Sequence, residues 1–183
     1  MLLPAYMLFG NANPSGRLPE TFPLCMEDTP RYLNYGMSPF GAGENDHSEY
    51  REGVFVGYRY YTSKKMPVLF PFGHGLSYTT FSYGNLTVGK ESLKDTEELE
   101  VTLEVTNTGK RAGKEVVQLY VSAKDGRIIR PVRELREFAK VSLEPGVQRC
   151  AVRKLSILER WVSSIISMIG DTPYIATYPG SSS

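Results

Sequence analysis

The stretch ELEVTLEVTNTGKRAGKEVVQLYVS, residues 98–122, decides the fold. Leu99, Val101, Leu103 and Val105 alternate with Glu98, Glu100, Thr102, Glu104 and Thr106. A period of two puts one apolar and one charged row on opposite faces of a half-buried strand. Asn107 to Gly113 supplies turn residues, after which Val117, Leu119 and Val121 repeat the alternation. Asp125-Gly126 marks the next turn. Leu135 to Leu143 is a further apolar run, and Pro145-Gly146 closes it with the chemistry of a type II turn. Short strands at this spacing predict a mainly β chain built on an antiparallel sandwich.

Upstream the pattern changes. Ala5 to Phe9 reads as the last turn of a helix, with Gly10 placed as its C-terminal cap. Asn11 to Pro30 is rich in Pro, Gly and Asn, and Gly36 to Ser48 is a polar loop. Gly53 to Tyr61 is aromatic, with Phe55, Tyr58, Tyr60 and Tyr61, and is expected to be an extended segment laid across another domain. Downstream, Leu155, Leu158, Trp161, Val162, Ile165 and Ile169 recur at spacings of three and four, a helical period that conflicts with a sandwich.

Composition excludes several classes. With 21 basic and 20 acidic residues in 183, the formal charge is +1, and no basic stripe for nucleic acid stands out. Basic and aromatic residues do mix in RYLNY, YRYY and Lys64-Lys65, where packing is the better account. No run approaches the roughly 18 apolar residues of a membrane span. Met1 to Phe9 lacks the basic start and small-residue cleavage site of a signal peptide. Cys25 and Cys150 show no disulfide framework and are expected as unpaired thiols. No zinc spacing links them to His47 or His74, and neither a metal nor a cofactor is expected. A cytoplasmic setting is slightly favoured, with secretion open for a parent protein. Asn85-Leu86-Thr87 has the acceptor pattern for N-glycosylation, a triplet that also arises by chance.

Several motifs, in order, resemble one family. LFGNANPSGRLPETFP (residues 8–23) resembles the end of the α/β sandwich domain of family 3 glycoside hydrolases of the β-glucosidase type. YREGVFVGYRYY (50–61) and VLFPFGHGLSYTTFSY (68–83) resemble the connector that follows. VTNTGKRAGKEVVQLYVS (105–122) and RPVRELREFAKVSLEPG (130–146) look like the family's fibronectin type III-like domain. The resemblance implies an α/β remnant over 1–26, an aromatic connector over 27–83 and a fibronectin type III-like, immunoglobulin-like sandwich over 84–183. It also implies retaining hydrolysis of β-glycosides in the parent, through an aspartate nucleophile and a glutamate acid/base. Both lie upstream of the matching segments in the family, so no residue here inherits a catalytic role. The implied partners are the parent's barrel and α/β domains, with self-association expected of a piece separated from them. Residues 1–50 would then have lost the domain they pack on. Residues 151–170 match the family poorly, and Pro179 falls inside an expected strand, as a shifted reading frame or an assembly error would produce.

The residues themselves offer few sites. Glu44, Asp46, Glu49 and Glu52 flank His47, and two carboxylates about 5 Å apart could run retaining hydrolysis. A solvated acidic loop is the expected state, with Glu52 ion-paired to nearby Arg59. His74, between Gly73 and Gly75, is expected as a satisfied histidine at an interdomain joint. No G-x-S-x-G elbow and no phosphate loop occur. The function expected is that of a non-catalytic fragment bracing catalytic domains. The alternative is a free-standing sandwich module binding carbohydrate or protein, and the tyrosines' clustering in the connector favours bracing.

Overall fold

The computed structural model describes residues 3–32, 51–89, 98–122, 129–156, 164–169 and 172–177. Helix α1 (Leu3–Leu8) ends as its sequence predicts. Gly10 adopts φ +74°, its N–H bonds to Met7 O at 3.0 Å, and Asn11 N–H bonds to Tyr6 O at 2.8 Å. This paired closure needs a left-handed residue, which glycine supplies without a Cβ clash.

Strand β1 (Phe22–Pro23) pairs antiparallel with β2 (Val68–Phe70), separated in sequence by α2 (Tyr58–Lys64). The helix corrects the expectation of an extended segment around Tyr58. It is entered through Gly57 at φ +58° and left through Lys65 in a left-handed conformation at φ +53°. Seven residues are too few for an isolated helix, so tertiary packing must hold them. Tyr61 is buried, while Tyr58 sets its ring 5.8 Å from that of Tyr120 on the sandwich. The helical period was hidden because inward and outward positions alike are aromatic.

The remaining strands are β3 (Phe81–Val88), β4 (Glu98–Asn107), β5 (Gly113–Ser122), β6 (Glu134–Leu143), β7 (Gln148–Ser156), β8 (Ser164–Ile169) and β9 (Thr172–Thr177). They form two antiparallel sheets, β3-β4-β7 and β6-β5-β8-β9. The chain is therefore mainly β. Leu99, Val101, Leu103 and Val105 are at most 3% exposed, as their alternation predicts. They divide between two clusters, one with Val117, Ala139 and Leu143, the other with Leu119 and Val121. The Pro145-Gly146 turn has Gly146 at φ +74° and Val147 N–H bonded to Glu144 O at 3.0 Å, the type II geometry.

The helical reading downstream is also corrected. β7 pairs with β4 from Glu98↔Ser156 to Thr106↔Gln148, and β8 pairs with β5 from Gln118↔Met168 to Ser122↔Ser164. The backbone groups of β4 and β5 need partners, and a ladder satisfies them where a helix could not. Leu155, Ile165 and Ile169 thus lie in strands, whereas Leu158, Trp161, Val162 and Pro179 fall outside the described residues. Pro173 sits in β9, an edge strand, where a missing ladder donor is tolerated.

Candidate functional site

Beyond the sandwich core, the most elaborate polar arrangement joins the N-terminal stretch to the sandwich. Asn13 uses both ends of its amide: Nδ2 donates to Ala112 O (2.9 Å), and Oδ1 accepts from Ser77 Oγ (3.0 Å) and Tyr78 N–H (2.9 Å). Leu18 exchanges backbone bonds with the His74 carbonyl and the Gly73 N–H, both at 2.8 Å. Thr21 Oγ1 accepts from Phe72 N–H at 3.2 Å. Residues 11–21 are thus packed on the connector and sandwich.

Arg17 is the centre of this joint. Its Nη2 lies 2.5 Å from both Glu115 carboxylate oxygens, and its Nη1 donates to the Gly75 carbonyl. Glu115 is the third residue of β5 and is 1% exposed; its Oε1 also accepts Val116 N–H at 2.8 Å. A buried carboxylate needs this degree of satisfaction, since desolvation otherwise drives it neutral. Gly75 makes the approach possible: a Cβ there would run into Gly16 O and the Arg17 side chain.

Asn107 organises the adjacent turn. Buried completely, it accepts from Thr79 Oγ1 (2.7 Å) and Gly109 N–H (3.0 Å). Its Nδ2 donates to Arg111 O (2.8 Å) and Leu143 O (3.0 Å). One side chain so ties the turn after β4 to the end of β6.

A second set of contacts covers the outer side of β5. Gln118 and Tyr120 alternate with Val117, Leu119 and Val121, yet are buried too. Tyr120 donates to Gln118 Oε1 at 2.6 Å, and the Arg133 guanidinium lies 5.3 Å above its ring. Burial raises the Tyr120 phenol pKa well above its ordinary value, a shift the nearby Arg133 charge opposes. Tyr58 accepts Leu135 N–H at 2.7 Å and stacks against Phe72 at 4.8 Å. A Cβ on Gly73, which has φ +83°, would strike the Gln118 amide.

The candidates named from sequence are scattered. Glu44, Asp46, His47 and Glu49 lie outside the described residues. Glu52 lines an open groove of about 600 Å³ with Pro30, Arg51, Phe55, Tyr60, Ser63 and Lys64. It is not the partner of Arg59, whose Nη2 lies 3.6 Å from Glu134 Oε1; Arg136 lies 3.2 Å from the other oxygen. The expected Glu52–Arg59 pair is corrected, because α2 turns Arg59 toward β6. The His74 ring stacks on Phe70 at 5.1 Å. Cys25 and Cys150 are free and exposed. The Asp28 carboxylate beside Cys25 raises its thiol pKa, the opposite of an activated thiolate. No group of three metal-ligating side chains occurs among the described residues. Carboxylates at the joint are committed to guanidinium partners, so the arrangement anchors segments by charge and hydrogen bonding.

Arg17 and Glu115 escaped the sequence reading. The only signal was an acidic residue just before the apolar alternation of GKEVVQLYV and an arginine in the glycine- and proline-rich PSGRLP.

Two family models match the chain: the glycosyl hydrolase family 3 C-terminal domain over residues 4–58 and a fibronectin type III-like domain over 115–156. Thermostable β-glucosidase B of Acetivibrio thermocellus is 50% identical over 145 residues, 79% of this chain and 18% of that protein. Probable β-glucosidase I of Emericella nidulans is 50% identical over 146 residues, 78% of this chain and 17% of that one. The chain thus spans less than a fifth of the length of these relatives. Among solved structures, β-glucosidase 3B from Thermotoga neapolitana in complex with α-D-glucose superposes with a TM-score of 0.78 at 33% identity, covering 98% of this chain and 26% of that one. A Bifidobacterium adolescentis GH3 β-glucosidase gives 0.79 at 32% identity, over 94% and 27%.

Proposed function

Since this chain carries the C-terminal portion of a glycoside hydrolase family 3 protein of the β-glucosidase type, we propose that its own task is to brace the domains of a β-glucosidase, with the chemistry performed elsewhere. The observation behind this reading is the Arg17–Glu115 pair. Arg17 belongs to the stretch matched by the family 3 C-terminal domain, and Glu115 is the first residue of the fibronectin type III-like match. A nearly solvent-free, multiply bonded ion pair holds orientation as well as position, because a guanidinium cannot rotate away without stranding the carboxylate.

The division accompanying this reading is an α/β remnant over 1–26, a connector over 27–83 and the sandwich over 84–183. Neither carboxyl group of the retaining mechanism is assigned to this chain, and substrate hydrolysis belongs to the longer protein.

Two measurements test the proposal. The purified chain should not hydrolyse aryl β-glucosides; turnover abolished by Glu52→Gln would overturn the non-catalytic reading. In the whole chain, hydrogen exchange at Asn13–Thr21 should be slow and should quicken on Arg17→Ala by more than that of β4. Fast exchange of that stretch in the unaltered chain would remove the basis for bracing.

A further inference from the structure

We propose that Asn85 is an acceptor for an N-linked glycan when the chain passes through a secretory pathway. The acceptor triplet Asn85-Leu86-Thr87 is the one Asn-x-Ser/Thr pattern in the sequence not blocked by a central proline, since Asn13-Pro14-Ser15 is excluded.

Its setting suits a bulky polar attachment. The β3–β4 register shifts between Gly84 and Thr87, placing Asn85 in a bulge with φ +50°. Asparagine tolerates this left-handed conformation better than most residues. Leu86 packs against both core clusters, so Asn85 and Thr87 project outward on either side of it, and both are exposed. Beside them, a Cβ built on Gly84 would meet nothing within 4 Å, leaving open room for a first sugar.

The neighbourhood is polar as well as open. Gly84 pairs with Glu104 and Thr87 with Thr102. Asn85 Nδ2 donates to Glu104 Oε2 at 2.5 Å. β3 is also an edge of its sheet, paired among the described strands with β4 alone. A glycan here would shield an edge that could otherwise template strand pairing with another chain.

The transfer balances with a polyprenyl-diphosphate-linked oligosaccharide as donor. Asn85 Nδ2 forms a bond to the sugar's anomeric carbon, and that carbon's bond to the diphosphate oxygen breaks. The diphosphate leaves with the electron pair, and the amide nitrogen gives up one proton. The product amide keeps one N–H, so the hydrogen bond to Glu104 can persist in the folded glycoprotein.

The test is secretion of the whole chain from yeast behind a cleavable leader, followed by intact-mass analysis before and after peptide N-glycosidase. One glycan is expected, and enzymatic removal in ¹⁸O-water should leave a labelled aspartate at position 85. Asn85→Gln and Thr87→Ala should each abolish the modification, while Thr87→Ser should retain it. An unmodified secreted chain, or a glycan that survives Asn85→Gln, would overturn the proposal.

Discussion

Arg17 and Glu115 show how one ion pair can be costly to break without being an efficient source of stability. Forming it requires stripping water from both groups, so net gain over an apolar pair is small. Removing one partner is different. Arg17→Ala should destabilise the chain by about 3–5 kcal/mol, because it leaves Glu115 buried without its cation. The double variant Arg17→Met/Glu115→Leu should recover much of that loss, which denaturant unfolding of the three proteins would check. Equal losses in the single and double variants would contradict the account. Tyr120 poses the complementary case of a group kept neutral. Its pKa is raised from 10.0 by burial, so above about pH 10 the unfolded chain releases a proton that the folded chain retains. Stability should therefore fall as pH rises beyond that point, and Tyr120→Phe should flatten the slope. The same substitution loses the Gln118 hydrogen bond, at about 1 kcal/mol near neutrality.

Short elements are held here by what they touch. α2 is seven residues long, and β1 and β2 have two and three. Each stands because an aromatic or backbone contact reaches the sandwich or the N-terminal stretch. Gly75 is where that dependence is most exposed. A methyl group there meets the backbone at Gly16, which cannot yield as a flexible side chain would. Gly75→Ala should therefore undock residues 11–21, raising their hydrogen exchange while the β4–β5 core remains protected. Unchanged exchange would show that the backbone relaxes around the new Cβ.

The molecule as a whole presents apolar surface that its core does not absorb. Leu8, Phe9 and Leu76 are 79%, 82% and 75% exposed, and Leu24, Met26, Leu69 and Phe70 are also open. Exposed apolar side chains gain by association, and a formal charge of +1 offers little repulsion between copies. The chain studied alone should self-associate, with sedimentation coefficients rising with concentration. Phe9→Ser/Leu76→Ser should reduce that dependence without lowering the melting temperature much, because neither side chain is buried. A monomer at all concentrations would mean that these residues are accommodated within a single copy.

The sandwich was legible in the sequence because its information is local and repeated. Alternation from Glu98 to Thr106 and from Val117 to Val121 names an apolar face, and Gly146 names a turn, since side-chain period and φ preference act within a few residues. Capping of α1 by Gly10 was legible for the same reason. Other features depended on partners distant in the chain. Tyr58–Lys64 became a helix once Tyr58 had Tyr120 and Phe72 to pack on, and residues 148–156 and 164–169 became strands because β4 and β5 offered unpaired backbone. Arg17 and Glu115 stand 98 positions apart, and neither carries any sign of the other in its neighbours. Their meeting was decided by the tertiary structure, for only a folded sheet edge and a glycine-lined approach bring the two charges out of water together.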